Sequence, residues 1–170
     1  MNLTKMQGLG NDYLYIYGEI ENPQEVSVKL SDRHFGIGSD GIIIIAPSEI
    51  ADFKMRIFNA DGSEAKMCGN GIRCLAKYAA DKKYAKTKAF KIETLAGVLP
   101  VRGGYDNDGD FMATINMGSP IFEDSIEIDG MTVYSVNTGV PHAVVFVDDV
   151  EAVDIDALAP KIRHHEHYKN

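Results

Sequence analysis

The sequence predicts an α+β fold, and three observations carry that reading. Extended runs near the start are interrupted by glycine, residues 42–45 are four isoleucines in a row, and an apolar stripe at helical period runs from Ile72 to Ala80 between the extended runs. The strand pattern then resets after Gly118-Ser119-Pro120, which divides the chain into a domain over 1–117 and a second over 118–170.

Each element has its own signal. Residues 3–6 and 13–17 read as strands flanking the polar turn Gly8-Leu9-Gly10-Asn11-Asp12. Pro23 opens a helix expected over 24–34, with Val26 and Leu30 four apart on its apolar side. Glycines 36 to 41 end it, and the β-branched run that follows reads as a strand buried on both faces. In 53–58, Phe53, Met55 and Ile57 alternate with Lys54 and Arg56, a strand with one apolar side. A helix is expected after Gly71, where Ile72, Leu75, Ala76, Ala79 and Ala80 form a stripe; Cys74 lies off the centre of that stripe and reads as structural. Strands follow near 90–95, 98–102 and 111–117. The second domain offers strands at 126–128, 131–136 and 143–147 and a helix over about 156–164, and it looks unfinished.

Composition narrows the function classes. The 170 residues are 45% hydrophobic and 25% charged, enough to bury a core. A net charge of −8 disfavours nucleic acid, whose phosphates need a basic face, and an anionic membrane surface. No apolar run approaches the length of a membrane span, and residues 1–5 carry no apolar signal core, so a cytoplasmic address is expected. The two cysteines, Cys68 and Cys74, are too close on one helical stretch to suggest a disulfide, which suits a reducing compartment.

Three segments invite readings that their context does not support. Gly36-Ile37-Gly38-Ser39-Asp40-Gly41 fits a dinucleotide glycine pattern, but a helix precedes it and a strand follows, the reverse of what a phosphate-binding helix start needs. Asp106, Asp108 and Asp110 alternate as in a calcium loop, yet Phe111 follows and starts a strand, so a solvated hairpin tip is expected. His164, His165 and His167 read as a histidine-rich helix end, and no metal is expected.

The segment around Cys68 carries the chemistry. A strand ends at Asn59, a polar turn follows, and Cys68 stands just before a helix. Helix starts present N–H groups without internal partners and a partial positive charge, which favours a thiolate over a thiol placed there. The N–H groups of Gly69, Asn70 and Gly71 can hold a carboxylate, and the glycines let a ligand approach the backbone. A thiolate beside a carboxylate site can abstract the neighbouring α-proton or attack a carbonyl, the latter with His34 or His142 as a base. A third reading is that Cys68 is a small buried hydrophobe.

The segment from Asn59 to Ala65, followed by Met67-Cys68-Gly69-Asn70-Gly71-Ile72-Arg73-Cys74, resembles the first active-site signature of diaminopimelate epimerases. Lys5 to Asp12 is similar to that family's opening, Arg33 to Gly41 to its next block, and Gly139-Val140-Pro141-His142-Ala143-Val144 with Phe146 to Asp149 to the block that opens its second half. The resemblance implies a pseudo-symmetric two-domain fold of mixed and antiparallel sheet around a central helix, with the site in the cleft between halves and the second domain incomplete. It implies inversion at one α-carbon of diaminopimelate without pyridoxal phosphate or metal, on the route to lysine and peptidoglycan. Cys68 matches the first of two catalytic cysteines, and His142 a histidine that tunes the thiols. Asn11, Asn59, Gly69 and Asn70 match substrate-binding positions. The implied partner is a small amino-acid substrate, and a homodimer is a further expectation.

This sequence departs from the pattern at Val140, where the family often has Asn, and near Gly41, where it often has Gln. The second Cys-Gly-Thr/Ser-Gly block is not among these 170 residues, so the chain by itself is expected to be catalytically incomplete. A proline racemase-like isomerase and a non-catalytic small-acid binding module are the alternatives.

Overall fold

The computed structural model describes residues 2–168. Residue 1 of the first expected domain and residues 169–170 of the second lie outside the described residues. The backbone gathers into two compact units, one up to Met117 and one from Gly118.

The first unit begins with a hairpin, β1 (Leu3–Gly8) and β2 (Asn11–Tyr17), whose turn places Leu9 and Gly10 at positive φ. Helix α1 (Pro23–Ser31) follows, with proline at its start where the missing N–H costs nothing. It ends three residues before the expected limit of 34. The reason is Asp32: its ψ of 125° leaves the helix, and its Oδ1 accepts from the N–H groups of His34 and Phe35, both at 2.7 Å. This local turn competes successfully with further helical bonding. The buried face also differs from expectation. Ser27 and Ser31 are the buried residues of α1, while Val26 and Leu30 are partly buried against the core. Ser27 stays satisfied there because its Oγ donates to the carbonyls of Phe58 and Asn59.

The remaining strands of this unit are β3 (Gly41–Ala46), β4 (Phe53–Asn59), the short β5 (Glu64–Ala65), and, after helix α2 (Gly69–Asp81), β6 (Ala89–Thr94), β7 (Gly97–Tyr105) and β8 (Phe111–Ile115). They form one mixed sheet in the order β1-β2-β3-β4-β6-β7-β8, with β5 paired to β4. The pairings β2–β3 and β4–β6 are parallel and the others antiparallel. Helix α2 packs against β1 and β2 at one end of this order and against β7 and β8 at the other, so the sheet curls around it.

Side-chain alternation divides the core. Tyr13, Tyr15, Ile43, Ile45, Met55 and Ile57 face α2, together with Ile72, Leu75, Ala76 and Ala79. Leu14, Ile16, Ile42, Ile44 and Phe58 face the α1 side. Every residue of β3 is buried, as its four isoleucines predict. On α2 the buried face is broader than the sequence stripe: Cys74 and Tyr78 belong to it, while Ala80 is only partly buried. The helix also starts earlier than expected, at Gly69.

The second unit holds β9 (Ile121–Phe122), β10 (Ile126–Ile128), β11 (Met131–Asn137), β12 (Pro141–Val145) and α3 (Ile155–Arg163). It has one short strand more than the sequence suggested, β9, which pairs with β11 over two residues. Strand β12 begins two residues earlier than expected, and its Pro141 is tolerated because it opens a strand at the sheet margin. The Asp154 carboxylate caps α3 through Ala157 N at 3.0 Å. No residue of α3 is buried, and a cavity of about 950 Å³ opens beside it, lined by Val144, Val153, Leu158 and Ile162 among others. No helix among the described residues is long and apolar enough to cross a membrane.

Candidate active site

The register of the first unit's sheet explains how distant residues reach one place. Tyr13 of β2 pairs with Gly41 of β3, which pairs with Asn59 of β4. Asn11 has the same parity as Tyr13 and Tyr15, and Asn59 the same parity as Met55 and Ile57, so both asparagines project on the side that α2 occupies. Strand β4 ends at Asn59, and the chain returns through β5 to the first turn of α2. Asn59 is braced there: its Nδ2 donates to Ser63 Oγ at 3.0 Å and its backbone N–H to the Ser63 carbonyl at 2.8 Å.

Cys68 is the N-cap of α2, in extended conformation at φ −144° and ψ 114°. Its Sγ accepts from the backbone N–H of Gly71 at 3.3 Å, the bond an N-cap side chain makes. The thiol in turn donates to Asn11 Oδ1 at 3.3 Å. The orientation of that amide follows from its other end, where Asn11 Nδ2 lies 2.6 Å from Asp40 Oδ2. A carboxylate oxygen only accepts, so the nitrogen must face Asp40 and the oxygen the thiol. Cys68 therefore has an acceptor for its proton when it is a thiol and a donor when it is a thiolate.

The neighbouring N–H groups are available to a ligand. Ile72 N donates to the Cys68 carbonyl at 2.9 Å and Gly71 N is engaged with Sγ, but Gly69 N and Asn70 N meet no acceptor among the described residues. Both residues are partly buried. These two donors and the partial positive charge of the helix start suit a carboxylate. The Asn70 side chain is held by Arg73, whose Nη2 donates to its Oδ1. Gly71 is closely packed: a Cβ there would lie 2.7 Å from Ile43 Cδ1, so a side chain requires the isoleucine tip to shift.

Two tyrosines that the sequence reading passed over complete the surroundings. Tyr13 is 6% exposed, and its phenol is pushed up to about 12, first by burial and then by the Cys68 charge. Tyr15 is fully buried and its hydroxyl donates to the Gly71 carbonyl at 3.0 Å; burial drives its ionisation far above the usual range. Both are neutral donors at working pH. The period-2 spacing of Asn11, Tyr13 and Tyr15 was the signal that could have found them. Cys74 sits further along α2, 8% exposed, with its thiol pushed up by burial.

Of the six residues singled out from sequence, Asn11, Asn59, Cys68, Gly69 and Asn70 belong to the first unit, and Asn11 and Cys68 are in direct contact. His142 lies on β12 of the second unit, exposed, with Nε2 3.1 Å from Thr138 Oγ1. The other histidine considered as a base, His34, is exposed in the turn after α1.

A family model described as diaminopimelate epimerase matches residues 3–123. A diaminopimelate epimerase of Acetivibrio thermocellus is 44% identical over an alignment that takes in 97% of this chain and 66% of that protein. The chain spans about two thirds of the length of the curated relatives it matches. Among solved structures, a phenazine biosynthesis protein of the PhzF family from Bacillus anthracis superposes with a TM-score of 0.64 at 23% identity, covering 87% of this chain and 54% of that one. A probable proline racemase from Agrobacterium radiobacter gives 0.65 at 14% identity, covering 89% and 53%. At these identities the two structures speak for the fold alone.

Proposed function

The chain belongs to the diaminopimelate epimerase family, and from that premise we propose that Cys68 is one of two acid/base groups in a cofactor-independent inversion at an α-carbon of diaminopimelate. The observation that carries this reading is the pair of partners on Sγ: Gly71 N–H and Asn11 Oδ1, each at 3.3 Å. A group that must both take and return a proton needs support in both states, and Cys68 has it.

The substrate's α-carboxylate would sit on the N–H groups of Gly69 and Asn70, with the carboxamides of Asn11 and Asn59 meeting its polar groups. The thiolate then takes the α-proton from one face, leaving a carbanion stabilised by the bound carboxylate's surroundings. Inversion requires a proton from the opposite face, because a lone base returns the proton to the side it left. Cys74 does not fit that second role: it shares α2 with Cys68 and is buried with a thiol held protonated. The 170 residues contain only these two cysteines, so in this chain Cys68 acts as a single base. His142 is the residue we propose to tune the thiols, which rests on the Gly139 to Val144 resemblance. The route to lysine and peptidoglycan, a cytoplasmic setting and a small amino-acid substrate follow from the same reading.

The match to the epimerase family over residues 3–123 favours diaminopimelate over the proline of the alternative isomerase. The test is substrate choice in deuterium oxide. Deuterium should enter LL-diaminopimelate in the presence of the chain, stay out of L-proline, and stay out of both with Cys68→Ala. Incorporation into proline and not diaminopimelate overturns the substrate assignment. Incorporation that survives Cys68→Ala overturns the role of the thiol.

A further inference from the structure

Asp40 is held by five hydrogen bonds. Its Oδ2 accepts from Asn11 Nδ2 at 2.6 Å and from the N–H of Asp12 at 3.0 Å, and its Oδ1 accepts from Arg33 Nη2 at 3.0 Å. Its own N–H donates to the Asp12 carbonyl at 2.8 Å, and its carbonyl accepts from Ala60 N at 2.9 Å. The residue thus bridges the start of β2 to the turn after β4. None of these bonds reaches Cys68, but one of them decides what Cys68 meets.

An asparagine amide can be turned over by 180° with little change in shape, exchanging an acceptor for a donor. At Asn11 the Asp40 carboxylate discriminates between the two orientations, because its oxygen only accepts, whereas the sulfur can pair with either and the Tyr13 hydroxyl, which also meets this amide, can donate or accept. With Asp40 in place, Oδ1 faces Sγ and accepts from the thiol at 3.3 Å. Without it, Nδ2 can turn to the sulfur and donate to the thiolate.

We propose that Asp40 is a positioning residue for Cys68, one that locks the Asn11 carboxamide with its oxygen toward the thiol and so sets the balance between thiol and thiolate. It touches neither the reacting atoms nor the carboxylate site. The proposal rests on Cys68 being an acid/base group, and its test reads ionisation rather than turnover, so either can fail without the other. The titratable groups that interact with Cys68 among the described residues are Tyr13, Tyr15 and Cys74, and all three are unchanged in the variants below.

The experiment is the pH profile of carboxamidomethylation of Cys68 by iodoacetamide, with the label located by peptide mass so that Cys74 is counted apart. Four chains are compared: unaltered, Asp40→Ala, Asn11→Ala and the double variant, each checked for folding by circular dichroism. Hydrogen bonding to the neutral form holds a group's ionisation up, so Asp40→Ala should move the midpoint down by about one pH unit. In the Asn11→Ala background the same substitution should move it by less than about a third of that, since the route through the amide is gone. An equal shift in both backgrounds overturns the proposal and assigns the effect to the Asp40 charge. No shift in either also overturns it. Asp40→Asn keeps an oxygen where the two donors converge while removing the charge, and it should stay near the unaltered profile. If it shifts as far as Asp40→Ala, positioning is again excluded. Should Asp40→Ala fail to fold, the comparison of Asp40→Asn with Asn11→Ala carries the test: only Asn11→Ala should shift, and a shift in Asp40→Asn alone overturns the proposal.

Discussion

Tyr15 donates a hydrogen bond to the carbonyl oxygen of Gly71 at 3.0 Å, joining β2 to the first turn of α2 across 56 residues of chain. The ring is fully buried and stacks on Tyr78 at 6.1 Å between centroids. Tyr15→Phe keeps the ring and removes the bond, so it should lower stability by about 1 kcal/mol. A urea titration should show a lower midpoint at unchanged slope. An unchanged midpoint would mean that this tie contributes nothing.

Gly41 tests how closely β3 and β4 approach beside Asn59. A Cβ there would lie 2.1 Å from the Phe58 carbonyl oxygen, a backbone atom that cannot step aside without breaking the strand pairing. Gly41→Ala should cost about 2–4 kcal/mol. Thermal unfolding would record it, and a melting temperature within about 2 °C of the unaltered chain would contradict the geometry.

Cys74 and Cys68 should behave oppositely. Cys74→Ala removes a small buried group and should cost about 1 kcal/mol while leaving deuterium exchange within about two-fold. Iodoacetamide should label Cys68 well before Cys74 in the unaltered chain. Preferential labelling of Cys74, or loss of exchange in Cys74→Ala, would assign the chemistry to the wrong thiol.

Asp12 gives the low-pH behaviour. Hydrogen bonding from Arg33, at 2.8 Å, leads the causes that lower its carboxyl from 3.8 to about 2, with Lys5 at 3.1 Å adding to it. A carboxyl lowered in the folded state contributes stability that is fully present above the unfolded value and is lost as pH falls through the folded one. The window is therefore between about pH 4 and pH 2. Arg33 is exposed, so solvent screening reduces the contribution to about 1 kcal/mol. Arg33→Ala should flatten the stability profile within that window and leave its shape above pH 5 unchanged. A profile equally steep in both proteins would remove Arg33 as the cause.

Much of this was legible in the residues. The isoleucine run of β3, the alternation of β4 and the stripe of α2 are local patterns, and Cys68 before Gly69-Asn70-Gly71 announces a helix start whichever fold surrounds it. The missing parts are non-local. Nothing in a single segment says that β2 pairs with β3 in parallel or that Gly41 of β3 lies opposite Asn59 of β4, yet those pairings carry Asn11 and Asn59 to one end of the sheet. The Asn11–Asp40 bond spans 29 residues and leaves no periodic trace. The end of α1 was misread because Asp32 stops the helix with its side chain, a competition that apolar spacing does not register.

The most direct measurement of the central claim is the stereochemistry of exchange. The 170-residue chain would be incubated with LL-diaminopimelate in deuterium oxide, with deuterium content read by mass and the isomers separated by chiral chromatography. A single working base at Cys68 should incorporate deuterium slowly with the LL configuration retained. Formation of the meso isomer by this chain alone would contradict the account, since it would require a second proton donor that Cys74 cannot supply.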